Sequence, residues 1–398
     1  IVVWAGEGED DLDGGIFARR FDRFGTPQGD QFRVNQYRLN LQDSPQVAAD
    51  SVGNFVITWT SFGQDGDSDG VYARQYNRYG QPVADEFRIN DTTANRQQNS
   101  DVAMDDAGNF VAVWMSYGQD SNEYGIVGKV YNADGTARTG EFGINQYVND
   151  EQIDPQVAMD ADGDFVVTWA SFLQDGSGYG VYARMFSPDG TPKGNEFQVN
   201  ETTLHWQYQP VVAMDKAGDF TIAWNTSGQD NDLAVDDGIY ARMFQADGSD
   251  FVLPPKGQQG EFRVNAFTAG NQVTPAIAMD AVGNYVVAWV GPTTETDPLI
   301  APLNGTDIFM RLLDPPGLAP RDVQTIAHLV GTTGDDVFEF VADADSGNWI
   351  VKLNGQTQAV ASGMTTVRFD GLSGYDQVKI TGTTGADTAR LWGNGVAL

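Results

Sequence analysis

Short apolar and polar runs alternate along this chain, and the same four runs return at a fixed spacing. Tryptophan marks the period at Trp4, Trp59, Trp114, Trp169, Trp224 and Trp289, five intervals of which four are 55 residues and the last 65. Glutamine keeps it too, at Gln42, Gln97, Gln152, Gln207 and Gln272, and again at Gln64, Gln119, Gln174 and Gln229. In the fourth repeat the runs are 155–160, 164–169, 180–186 and 196–200. Each is short, β-branched or aromatic, and bounded by turn residues such as Asp162-Gly163 and Pro188-Asp189-Gly190. The second run is apolar on both faces, as a strand between two neighbouring sheets must be. The fourth alternates apolar and polar residues, which predicts a half-exposed edge strand. No stretch carries a sustained 3.6-residue pattern with caps, so almost no helix is expected.

Four antiparallel strands per repeat, six times over, predict an all-β chain: a β-propeller of about six four-stranded blades. The six tryptophans are expected in the core between blades. The first repeat lacks its first strand, to be supplied by an upstream segment or by a C-terminal strand that closes the ring. The sixth carries a longer loop over 290–306, and the character changes after Pro315, Pro316 and Pro320. The expected division is a propeller over 1–329 and a small β module over 330–398.

Composition narrows the partners. The chain has 23 Lys+Arg against 55 Asp+Glu, a formal net charge of −32, and 44 of the acids are Asp, beside 46 Gly. Asp and Gly in excess belong to turns rather than to helix surfaces. Such a charge disfavours nucleic acid and anionic membrane and favours cations. Cysteine is absent, which excludes thiol chemistry and disulfides. No run approaches the length of a membrane helix, so direct membrane insertion is not expected.

The turn aspartates recur from Asp50-x-x-Gly53 to Asp280-x-x-Gly283 and read as hairpin chemistry. The loops between the second and third strands vary and are acidic. Asp65-Gly-Asp67-Ser-Asp69-Gly70 matches the first half of a calcium loop, although Tyr76 replaces the glutamate that an EF-hand needs at its twelfth position. Glu9, Asp11 and Asp13 in the first repeat, and Asp230, Asp232 and Asp236 in the fifth, are further candidate Ca2+ ligands. A solvated acidic loop is the alternative at each. A basic residue ends each third strand (Arg19, Arg74, Lys129, Arg184, Arg242, Arg311) and is expected to pair with a nearby Asp. The periodic Gln42 series is expected to satisfy buried backbone groups. One connector stands apart: His205, Trp206 and Tyr208 put three ring side chains in four residues, a candidate sugar or partner contact or else a blade cap. Neither His205 nor His328 has a catalytic or metal-ligand context.

The runs Asp162-Gly-Asp-Phe-Val-Val-Thr-Trp169 and Gly180-Val-Tyr-Ala-Arg184 resemble repeats of large bacterial extracellular and cell-surface proteins, over about residues 1–315. The tail, with Gly331-Thr-Thr-Gly-Asp335, Gly371-Leu-Ser-Gly-Tyr-Asp376 and Gly382-Thr-Thr-Gly-Ala-Asp387, resembles degenerate haemolysin-type (RTX-like) repeats. The resemblance implies a secreted or cell-surface bacterial protein. Its partners would be other surface proteins or copies of itself, with polysaccharide as a further possibility. The expectation is a non-enzymatic structural or adhesive scaffold stabilised by calcium in its acidic loops. The alternatives are a carbohydrate-binding, lectin-like propeller and a propeller glycoside hydrolase, whose carboxylate pair sequence cannot locate among 55 acids.

Overall fold

The computed structural model describes residues 1–6, 14–22, 25–229, 236–251, 260–292 and 306–313, together with the strands named below for the C-terminal unit. The chain divides into two compact units, Ile1–Arg321 and Asp322–Leu398.

The larger unit is a succession of antiparallel sheets. The first holds β1 (Val2–Gly6), β2 (Gly15–Arg19) and β3 (Phe32–Arg33). Four complete blades follow: β4 (Gln42–Ala49), β5 (Phe55–Phe62), β6 (Asp69–Tyr76) and β7 (Phe87–Arg88); β8 (Gln97–Met104), β9 (Phe110–Tyr117), β10 (Tyr124–Tyr131) and β11 (Phe142–Gly143); β12 (Gln152–Met159), β13 (Phe165–Phe172), β14 (Tyr179–Phe186) and β15 (Phe197–Gln198); β16 (Gln207–Met214), β17 (Phe220–Ser227), β18 (Asp237–Phe244) and β19 (Phe262–Arg263). The sixth sheet holds β20 (Val273–Met279), β21 (Tyr285–Pro292) and β22 (Thr306–Leu313). The first strands β4, β8, β12, β16 and β20 pack side by side, the arrangement of inner strands in a propeller. No helix occurs among the described residues.

Both faces of each second strand are buried, as the sequence pattern requires. In the second blade Phe55, Ile57 and Trp59 pack on Ile16, Ala18 and Val34 of the first, while Val56 packs on Phe110, Ala112 and Trp114 of the third. Trp59, Trp114, Trp169 and Trp224 are all 0% exposed. Aromatic pairs thicken each seam: Phe55 stacks on Tyr76 at 5.0 Å and Phe165 on Phe186 at 5.0 Å. The hairpins turn as expected. Asp50 Oδ1 accepts the amides of Val52 and Asn54 while Gly53 takes φ +93°, and Asp105, Asp160, Asp215 and Asp280 repeat the device.

The fourth run differs from the expected half-exposed edge. Only two residues pair as a strand, and Val199 and Asn200 are buried. The Val199 amide bonds the Val181 carbonyl, and Asn200 Oδ1 accepts the Val181 amide at 2.8 Å, so the run turns inward. Its glutamate becomes a staple between blades. Glu86 accepts the amides of Gln36 and Tyr37 on the connector from the preceding blade and holds Gln64 Nε2 at 2.7 Å. Glu141, Glu196 and Glu261 do the same one blade further on each time. The basic residues also act between blades. Arg74, Arg184, Arg242 and Arg311 donate Nη1 to the carbonyls of Val34, Ile144, Val199 and Val264, and Lys129 donates to Ile89. The expected pairing with Asp is realised at Lys129–Asp91 and Arg242–Asp250, but the shared partner is a neighbouring carbonyl.

In the smaller unit β23 (Ala327–Val330) pairs parallel with β27 (Val367–Asp370), and β24 (Val337–Ala342) lies between β25 (Trp349–Leu353), antiparallel, and β28 (Gln377–Thr381), parallel. β26 (Gln356–Gln358) extends β25. The Gly-Thr-Thr-Gly runs at 331–334 and 382–385 lie outside the described residues.

Candidate binding face

Connectors and second-to-third-strand loops share one face of the blades, opposite the tight Asp-x-x-Gly turns. A repeated network builds this face. Gln42 Nε2 donates to the carbonyls of Leu39 and Asn40, its Oε1 accepts Asn35 Nδ2, and Asn35 Oδ1 accepts the Ile16 amide. Asn90 with Gln97, Asn145 with Gln152, Asn200 with Gln207 and Asn265 with Gln272 repeat it. The glutamine ring thus satisfies buried backbone groups, as expected.

Several predicted metal ligands belong to this scaffold or face separate partners. Asp65 Oδ2 accepts Asn90 Nδ2 at 3.1 Å, and Asp120 and Asp175 bond Asn145 and Asn200 in the same way. Asp65 is therefore a repeated structural residue, a fact its 55-residue recurrence already carried. Asp67 Oδ2 accepts the Asn95 amide at 2.8 Å, and Asp69 sits 3.6 Å from Arg96. Asp236 Oδ2 accepts the Gly270 amide at 3.2 Å. Glu9, Asp11, Asp13, Asp230 and Asp232 lie outside the described residues. Among the described residues no group of three or more His, Asp or Glu side chains is placed to hold a metal ion.

On this scaffold lies a band that does not repeat. It lies where the fourth blade meets the fifth, built from the first residues of their third strands, Tyr179 and Asp237, and from residues next to Gln152 and Gln207. The Tyr179 hydroxyl bonds Glu151. Tyr179 meets Trp206 edge-on, with centroids 5.7 Å apart, and Trp206 meets Tyr208 edge-on at 6.5 Å. Tyr208 donates its hydroxyl to Asp237 Oδ2 at 3.1 Å, and the Asp237 amide reaches Asn271 Oδ1 at 3.3 Å. The chain Glu151–Tyr179–Trp206–Tyr208–Asp237 thus crosses from the fourth blade to the fifth. Trp206 is 52% exposed. Its ring rests on the backbone of Gly178, which has φ +55°: a Cβ there would stand 2.3 Å from Trp206 Cδ1.

Burial sets the ionisation of this band. It pushes the Tyr208 hydroxyl up to about 12, with the Asp237 carboxylate adding to the effect, and raises Tyr179 beside Glu151. Asp154, on the same inner strand as the Glu151 end of the band, is raised by burial and then by the Glu151 charge. Asp43 is raised by burial against the opposing bond from Ser44.

Of the three predicted ring residues, the structure brings Trp206 and Tyr208 together. His205 occupies the left-handed turn position (φ +69°) held elsewhere by Asn40, Asn95, Asp150 and Gly270. Tyr179, Glu151 and Asp154 were not singled out from sequence. The repeat position of Tyr179 holds Asp69, Tyr124 and Asp237 in the other blades, so a tyrosine there gave no distinguishing signal.

No protein-family model matches the chain, and no curated protein matches it. Similar solved structures include a protein of unknown function from Dyadobacter fermentans, 10% identical, covering 72% of this chain and 82% of that one with a TM-score of 0.48. The Penicillium chrysogenum α-L-arabinanase complexed with arabinobiose is 13% identical over 78% and 88%, with a TM-score of 0.46. The GH43 endo-arabinanase of Bacillus licheniformis is 13% identical over 68% and 93%, with a TM-score of 0.37. At these identities the likeness is one of fold.

These findings correct the expected non-enzymatic, calcium-stabilised structural or adhesive scaffold. The arabinanases among the similar structures are carbohydrate hydrolases; the scaffold reading and the exclusion of enzymatic activity are not retained. The geometry gives a physical reason. The loop face is already held by the Glu, Gln, Asn and Arg bonds of the repeat. The carboxylates expected to bind calcium in the second repeat are engaged by Asn90, the Asn95 amide and Arg96.

Proposed function

We propose that the protein recognises carbohydrate on its loop face, with Trp206 as the platform for a sugar ring. One observation carries this reading. The tryptophans of the second to fifth blades are fully buried, whereas Trp206 is half-exposed and held edge-on by two tyrosines. A ring fixed in that way presents an apolar face without losing side-chain freedom on binding. The flanking carboxylates and hydroxyls supply hydrogen bonds to sugar hydroxyls. A second reading, glycoside hydrolysis, draws on Asp154, whose carboxyl is raised by burial and by Glu151, as a general acid requires.

Calorimetric titration with arabinan, xylan, galactan and mixed-linkage β-glucan oligosaccharides tests recognition. Trp206→Ala is expected to weaken the saccharide that binds by about tenfold or more, since ring stacking and its buried area contribute roughly 1–2 kcal/mol. A wild type that binds none of these sugars would overturn the reading. Release of reducing ends, lost in Asp154→Asn, tests hydrolysis.

A further inference from the structure

Each inner strand carries a register shift at the same place: between Asp43 and Gln46, Gln98 and Asp101, Ile153 and Gln156, Tyr208 and Val211, and Val273 and Ala276. At each bulge one residue has positive φ: Ser44 (+49°), Asn99 (+52°), Asp154 (+53°), Gln209 (+51°) and Thr274 (+57°). None is glycine, although glycine adopts this conformation without penalty and other residues pay roughly 1 kcal/mol or more. Thr274 is β-branched, for which positive φ is a genuine outlier.

The connector turns make a useful contrast. Their left-handed position is filled by Asn40, Asn95, Asp150, His205 and, in the last blade, Gly270. There glycine is accepted in one blade. At the bulges all five residues are polar, and Ser44, Asn99, Gln209 and Thr274 are exposed while Asp154 is half-buried.

Two of these side chains bond close by, Ser44 to Asp43 and Asn99 Nδ2 to Met115 Sδ at 3.6 Å. Pro45, Pro155, Pro210 and Pro275 follow the bulge in four blades and bring no amide to satisfy. No side-chain hydrogen bond holds Asp154 or Thr274 among the described residues. Gln209 Oε1 accepts Asn225 Nδ2 at 2.8 Å, and the fully buried Asn225 Oδ1 beside it has no donor.

We propose that these five bulge residues form an arc that binds the hydroxyls of a neutral saccharide, the strained backbone being kept because it presents polar side chains to the ligand. The inference rests on carbohydrate recognition at Trp206 and deepens it by naming the class of sugar. Because the inner strands pack side by side, the bulges lie along one arc, and Gln209 directly follows Tyr208 of the aromatic band. Hydroxyl and amide groups both donate and accept, which matches sugar hydroxyls. The arc holds no cation, and its one charged group, Asp154, stands beside Glu151 in a chain of net charge −32, so uronate-rich glycans are repelled.

Glycine substitution separates ligand contact from structure. The variant combining Ser44→Gly, Asn99→Gly and Thr274→Gly, which leaves the Gln209 bond to buried Asn225 in place, is expected to melt at or above the wild-type temperature. It should also lose at least tenfold in affinity for the neutral oligosaccharide that binds the wild type. Asn95→Gly, at a connector turn, should leave affinity unchanged, and oligogalacturonate should not bind. If Trp206→Ala loses affinity while the triple variant keeps it, the arc is overturned and recognition at Trp206 stands. A wild type that binds no sugar overturns both. Should the triple variant melt lower, Thr274→Gly alone carries the test. Unchanged melting with weakened binding supports the arc; unchanged binding overturns it.

Discussion

The second and fourth blades place different chemistry on the same backbone. Asp65 and Asp175 occupy one repeat position and bond Asn90 and Asn200 alike. Four residues on, the second blade has Asp69 and the fourth Tyr179. On the connectors that follow, their partners are Arg96 and Trp206. An exposed ion pair in one blade is a ring pair in the other. The difference turns on a small residue: Gly178 makes room for the Trp206 ring at the position where the second blade carries Ser68. Because staples and core fix the backbone, the loop-face residues are free to change character without changing the fold.

The largest expected effect tests that the two blades share one scaffold. Trp59→Ala and Trp169→Ala should each cost about 3–5 kcal/mol by chemical denaturation, and by similar amounts. A wide difference between them would break the comparison. The third blade, between them, supplies a pH test. Burial pushes Asp101 to about 6, above its ordinary 3.8, while its Oδ2 accepts the Val157 amide at 2.8 Å. The native state then keeps a proton that the unfolded chain has released, so stability falls as pH rises from about 4 to 6, by an amount on the order of 3 kcal/mol. Asp101→Asn should flatten that slope, measured as stability against pH. Gly178→Ala sharpens the contrast at the ring pair itself. The added methyl meets Trp206 and demands a positive φ from alanine, and should cost roughly 1–3 kcal/mol. The smallest effect belongs to the ion pair. Arg96 is 59% exposed on its side chain, and Arg96→Ala should change stability by no more than about 0.5 kcal/mol.

Much of the fold was legible because repetition is a sequence property. The tryptophan period marked the blades, and both-sided burial of runs such as 164–169 marked the seams. The fourth run misled because Asn200 looks polar and exposed, whereas its side chain serves as a backbone partner for Val181. The basic residues misled in a related way, since a carbonyl on the preceding blade leaves no trace in composition. At the site, Trp206 and Tyr208 were visible as neighbours in the chain. Tyr179 was not, because 27 positions separate it from Trp206 and only the pairing of blades closes the gap. The bulges were invisible for a physical reason: positive φ normally announces itself by glycine, and here it is carried by Ser44, Asn99, Asp154, Gln209 and Thr274.

Amide hydrogen exchange with and without the bound neutral oligosaccharide tests most directly whether recognition lies in the non-repeated band. Slowed exchange is expected across 178–179 and 204–209, with the equivalent segments 68–69 and 94–98 less affected than these. Protection of the loop segments spread evenly over all blades, or centred on 68–69, would contradict it.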